Sequence, residues 1–158
     1  MISVLASILL LTPSPKPKYE YPPTVKVEYV YNHTSIEKVG DRPVTFGIKE
    51  TLEEILVNEG YQLDSNGMVV SVSLDNIESP QELLNIAGLQ WLRKDYIVTT
   101  SICIGTGCFE GKAVRKTFLF AAFLNVENQE VPLNKKAFSK ALQRSLEAAA
   151  TFENPIKQ

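Results

Sequence analysis

Two stretches of the chain alternate apolar and polar residues with the period of a half-buried strand. In residues 24–31 (TVKVEYVY), Val25, Val27, Tyr29 and Tyr31 fall on one face and Lys26 and Glu28 on the other. Residues 68–74 (MVVSVSL) repeat the pattern with serine at the polar positions, after a turn at Asp64-Ser65-Asn66-Gly67. Elsewhere the period lengthens. Ile48, Leu52, Ile55 and Leu56 predict a first helix over 47–59, with Gly60 placed to end it in the left-handed conformation. Near the C-terminus, Phe138, Ala141, Leu142, Ser145, Leu146 and Ala149 share one helical face, while Lys135, Lys136, Lys140, Gln143, Arg144 and Glu147 share the other. Asn134 can cap that helix. Between these elements, Ser79-Pro80-Gln81-Glu82 has the form of a capping box with proline at the first helical position, which predicts a short helix closed by Gly88.

The longest run of strand-forming residues lies over 93–126. Two extended segments, 94–104 and 113–126, flank the turn-prone Gly105-Thr106-Gly107 and Glu110-Gly111-Lys112, and together they predict a β-ribbon with Trp91 anchoring its entry. The point of reversal decides the state of the cysteines. Reversal over 104–107 sets Cys103 opposite Cys108, where a disulfide can form; reversal near Gly111 leaves both in one strand, on opposite faces. The Ile104-Gly105-Thr106-Gly107 sequence suits a tight loop and favours the bridge, which would accompany export, whereas free thiols would suit a cytoplasmic protein.

This order of elements predicts an α+β fold, a two-layer sandwich in which a mainly antiparallel sheet carries two main helices on one face. With 158 residues, 44% of them hydrophobic and 22% charged, the chain can bury one core without a metal. The expected organisation is an apolar N-terminal segment with a proline-rich arm over 1–23, a single domain over 24–152 and a tail over 153–158. Residues 2–11 (ISVLASILLL) are shorter than the roughly 20 needed to span a bilayer but have the length of a signal-peptide core. No Lys or Arg precedes them and Thr12-Pro13-Ser14 is a poor cleavage site, so signal peptide and inter-subunit arm both stand as readings.

Charge and candidate chemistry narrow the function classes. The net charge is −2, and the pairs Arg93-Lys94, Arg115-Lys116 and Lys135-Lys136 are scattered, so no nucleic-acid partner is expected. His33 is the sole histidine, in a polar loop over 32–42 that also carries a glycosylation-type triplet, Asn32-His33-Thr34. It has no nucleophile nearby in sequence, and no catalytic residue is assigned. His33, Cys103 and Cys108 are too few and too scattered for a metal site, and none is expected. No cofactor is expected either, because the glycines of 105–111 form neither dinucleotide nor P-loop signatures. Glu50, Glu53 and Glu54 read as a solvated helix face.

A resemblance adds a functional expectation. The strand over 25–31 ending in Asn32 and Thr34, the helix over 47–60 followed by Tyr61 and Leu63, Phe109-Glu110-Gly111 between long strands, and the closing helix over 137–150 together resemble the periplasmic domains of outer-membrane assembly lipoproteins. The curli-secretion channel subunit and the lipopolysaccharide-assembly lipoprotein are of that kind. The resemblance covers about residues 24–152, and it lacks the lipid-modified cysteine such proteins carry, since Leu11-Thr12-Pro13-Ser14 contains none. It implies a non-enzymatic assembly subunit, exported to the periplasm or outer membrane, with protein partners or copies of itself and with membrane association left open. The alternatives are a bacteriophage virion protein of the tail, neck or baseplate, whose residues 12–23 would strap neighbouring subunits, and a small enzyme or ligand-binding module.

Overall fold

In the computed structural model, which describes residues 23–121 and 133–151, the chain runs β1 (Thr24–Asn32), β2 (Lys38–Val39), β3 (Arg42–Pro43), α1 (Val44–Asn58), β4 (Gln62–Leu63), β5 (Met68–Glu78), β6 (Gln81–Ile86), β7 (Leu89–Ile104), β8 (Gly107–Phe120) and α2 (Lys135–Ala150). One sheet holds β4, β1, β5, β7 and β6 in that order, with β8 on the other side of β7, while β2 and β3 form a separate small hairpin. β1 and β5 are parallel, joined by α1, and the pairs that β7 makes with β5, β6 and β8 are antiparallel. Both helices pack on one face of this curled sheet, so the α+β sandwich expected from the sequence is present. The N-terminal segment and arm, the tail and the ribbon residues 122–126 lie outside the described residues.

The helices form where the apolar spacing placed them. α1 starts three residues before Gly47: Pro43 supplies the extended N-cap and the Val44 N–H donates to Glu37 O at 2.9 Å, so one first-turn donor is satisfied by the residue leading into β2. At its far end Gly60 adopts φ +97°, its N–H donates to Val57 O and that of Tyr61 to Leu56 O, a paired closure that only a left-handed residue permits. In α2 the Asn134 side chain accepts from Ala137 N at 3.0 Å, and Phe138, Ala141, Leu142, Ser145, Leu146 and Ala149 are all buried. With Val25, Val27, Val70, Val72, Leu74, Tyr96, Val98 and Ile102 from the sheet they build one core.

Three expectations are corrected. The segment after Ser79-Pro80 is strand β6, not a short helix: Ala87 (φ 53°) and Gly88 (φ 79°) close a two-residue hairpin onto β7, and the Glu82 carboxylate reaches Arg93 across the strands at 3.1 Å instead of capping a helix. Six residues hold too few internal hydrogen bonds to nucleate a helix against that competition. Glu110-Gly111-Lys112 is strand as well. The ribbon reverses at Gly105-Thr106, with Gly105 at φ +59°. Gly111 instead admits α2, because a Cβ there would overlap the Ser145 carbonyl oxygen and stand 2.5 Å from Ala149 N. Third, Tyr29 and Tyr31 do not share a face with Val25 and Val27. Register between β1 and β5 slips between Val27 and Tyr29, and the extra residue turns both tyrosines onto the sheet face away from the helices.

Candidate interaction surface

Three sites deserve comparison: a polar cavity, the open sheet face, and the far half of the ribbon. The cavity, about 780 Å³, lies between the loop after β1 and the break between β5 and β6, and His33, Thr34, Asp75, Asn76, Lys94 and Leu133 line it. Asp75 sits at a second register slip, between Leu74 and Asn76. Its carboxylate accepts from Ser73 Oγ at 2.6 Å and Ser101 Oγ at 2.5 Å, with His33 Nδ1 3.6 Å away, so its own sheet and loop already occupy it. The His33 ring stacks on Tyr31, and Tyr31 on Tyr29, in a row along the open face of β1. Asn32 is committed to the same loop: its side-chain oxygen accepts from Thr34 N and Oγ1, and its amide donates to Ile36 O at 2.8 Å.

The other residues singled out by sequence fall apart in space. Cys103 and Cys108 face each other across the ribbon, on the open face, and are joined by a disulfide. Gly105 and Gly107 flank the hairpin turn beside them. On α1, Glu50 pairs with Arg42 at 3.7 Å and Glu53 with Lys49 at 3.9 Å, both at the surface. Among the described residues no three His, Cys, Asp or Glu side chains converge as metal ligands would. No helix among the described residues is long and apolar enough to cross a membrane.

The ribbon carries the largest unexplained feature. The N-terminus of α2 meets the sheet at Tyr96, whose hydroxyl accepts from Asn134 N at 2.8 Å. Beyond that point β6, the first third of β7 and the end of β8 continue as three strands with no described helix over them. At roughly 3.3 Å per residue this is a projection of about 20 Å. Large apolar side chains stand on both faces among polar ones: Leu83, Ile86, Leu89, Phe118, Leu119 and Phe120 are each 39–52% exposed. Trp91 packs edge-on against Phe120, ring centroids 5.2 Å apart, and stiffens the tip.

The outer edge of β8 is the second open feature. Among the described residues no strand pairs with it over its fourteen residues. The alternate residues Glu110, Lys112, Val114, Lys116 and Phe118 are all exposed. Where β8 meets α2, Arg115, Lys116, Lys136 and Lys140 line a groove of about 140 Å³, so the edge is locally cationic in a chain of net negative charge. The resemblance implied an exposed sheet edge, but the sequence placed neither feature on particular residues. A usable signal was present, since Phe118-Leu119-Phe120 is continuous rather than alternating, the pattern of a strand covered on both faces.

No family model matches the chain, and no curated protein matches it. Among solved structures it is similar to a minor lipoprotein from Acinetobacter baumannii, at 17% identity and a TM-score of 0.47 over 87% of this chain and 98% of that one. It is also similar to a hypothetical protein from Chlamydia trachomatis, at 8% identity and a TM-score of 0.43 over 83% of this chain and 95% of that one. Neither likeness bears on what this chain does, since function resides in sites and not in the course of the backbone.

Proposed function

We propose that this chain is a non-enzymatic structural subunit of an envelope-associated or secreted multi-protein assembly, docking through the uncovered tip of its ribbon. The observation that carries this reading is the apolar tip itself. Six large apolar side chains left about half exposed forgo on the order of 1 kcal/mol each relative to full burial, and contiguous apolar surface of this kind marks interfaces. The Cys103–Cys108 bridge supports an oxidising compartment. The polar cavity lends no support to an enzyme reading, because its one carboxylate and one imidazole are engaged with their own sheet and loop.

The test uses the full chain. Ile86→Ser with Leu89→Ser, flanking the turn between β6 and β7, removes apolar surface at exposed positions without touching the core. A photo-crosslinking residue at position 89 forms protein adducts in the producing cell, one at Glu147 on the exposed side of α2 does not, and the serine pair lowers the apparent mass in light scattering or abolishes the adduct at position 89. A chain that is monomeric at tens of micromolar and yields no adduct from position 89 would refute the proposal.

A further inference from the structure

We infer that the free edge of β8 pairs antiparallel with the same edge of a second copy, about a two-fold axis at Ala113, so that one sheet runs through both molecules. This surface shares the end of β8 with the apolar tip, but its test rests on positions 110 and 116 and that of the tip on positions 86 and 89, so either interface can fail while the other stands. The backbone groups that point outward from β8 alternate along the strand. In the two-residue hairpin at Gly105-Thr106, Ile104 and Gly107 exchange hydrogen bonds, and the alternation of an antiparallel ladder then directs the N–H and C=O of Cys108, Glu110, Lys112, Val114, Lys116 and Phe118 away from β7. These groups have no strand partner among the described residues. A second β8 satisfies them only if even-numbered residues face even-numbered residues, which also keeps the helix-covered faces of both copies on the same side.

Charge then selects the register. Centring on Lys112 sets two lysines face to face, and centring on Val114 sets Lys112 against Lys116. Moving two residues further toward either end shortens the overlap or opposes Arg115 to Arg115. Centring on Ala113 leaves no like pair. Glu110, the only acid on β8, faces the partner's Lys116, twice by symmetry, while Lys112 faces Val114 and Phe118 faces Cys108. Neither Glu110 nor Lys116 makes an ion pair among the described residues, so both side chains are available. Lysines on an edge strand ordinarily discourage edge pairing; here they exclude every long register but one.

The register makes the inference testable. At the axis-centred register positions 110 and 116 of opposite copies are adjacent, whereas 110 and its own symmetry mate are about 20 Å apart. Glu110→Cys and Lys116→Cys proteins mixed and mildly oxidised therefore give a covalent dimer, and neither does alone. Glu110→Lys and Lys116→Glu each weaken dimerisation by about tenfold in sedimentation equilibrium, and the double reversal restores it. A chain that stays monomeric at 100-fold dilution steps down from about 100 μM, a dimer indifferent to both reversals, or single-variant cross-links would overturn the inference. Binding of an acidic foreign strand at this edge in place of the second copy would overturn it as well.

Discussion

Gly111→Ala is the most incisive single change to this fold, because it adds one methyl at the point where α2 comes closest to the sheet. The ideal Cβ overlaps the Ser145 carbonyl oxygen, lies 2.5 Å from Ala149 N and 3.0 Å from Ala149 Cβ. Two of the three obstacles are backbone, so no rotamer change relieves them. Restoring a normal contact near 3.5 Å requires α2 to lift by roughly 1.5 Å, which loosens Phe138, Leu142 and Leu146 together. Overpacking of this kind costs about 1–3 kcal/mol, and the stiffer unfolded chain returns about 0.4–1 kcal/mol. A net loss of about 1–1.5 kcal/mol follows, equivalent to a fall in Tm on the order of 3–5 °C. Urea unfolding followed by far-UV circular dichroism, with the slope checked for constancy, measures it. Gly47→Ala is the matched control. It lies inside α1 with nothing within 4 Å of the added Cβ, so the same substitution should stabilise by about 0.5–1 kcal/mol. Equal effects at the two glycines would refute the claim that close helix approach, and not backbone freedom, is the reason for Gly111.

Other measurements probe separate links. Asn134→Ala removes the side-chain acceptor for Ala137 N and should cost about 1 kcal/mol, with Asn134→Asp close to neutral, read from the urea midpoint. Reduction of Cys103–Cys108, or Cys108→Ser with Cys103→Ser, releases a loop with a sequence separation of 5 and should lower stability by about 2 kcal/mol while preserving the far-UV spectrum. Thr100→Val should be nearly neutral, since Ser145 Oγ keeps its bond to Leu142 O at 2.8 Å when the Thr100 hydroxyl is gone; a loss above about 2 kcal/mol would show that the Thr100–Ser145 contact matters more than its 3.3 Å length implies.

The legible parts of the fold were those in which one local pattern had no rival. The face of α2 follows from its own spacing, and the end of α1 from one glycine, because a left-handed position has few other occupants. The misread parts had two local readings of comparable strength. Ser79-Pro80-Gln81-Glu82 satisfies a capping box, but the decision belonged to Ala87 and Gly88, whose positive φ angles make a hairpin turn only once β7 is there to pair with. Tyr29 and Tyr31 were assigned to the wrong face because periodicity assumes an unbroken strand, and the slip after Val27 shows only in the register with β5. Gly111 carried a fair warning, since an isolated glycine in a strand pattern often marks close approach of another backbone.

The interaction surfaces were illegible for a different reason: they depend on where cover stops. β7 has sixteen residues; from Tyr96 onward its inner face lies against the core and α2, whereas residues 89–94 run beyond the N-terminus of α2. Within the tip itself exposure differs by face, since Leu92, 3% exposed, and Leu89, 49% exposed, stand on opposite sides of the strand. The boundary is set by the length of α2. Sixteen residues at 1.5 Å reach about 24 Å, whereas sixteen strand residues reach about 53 Å, so a helix of this length cannot cover the whole ribbon beneath it. A ribbon that outruns its helix must expose either polar residues or an interface. This one carries Phe118, Leu119 and Phe120 at its end, and serines and threonines on the open face of its covered half. Large apolar side chains thus stand exposed where the described helix cover ends, among the polar Gln81, Glu82, Asn85 and Gln90. Exposed apolar clusters of this kind are what the docking proposal rests on.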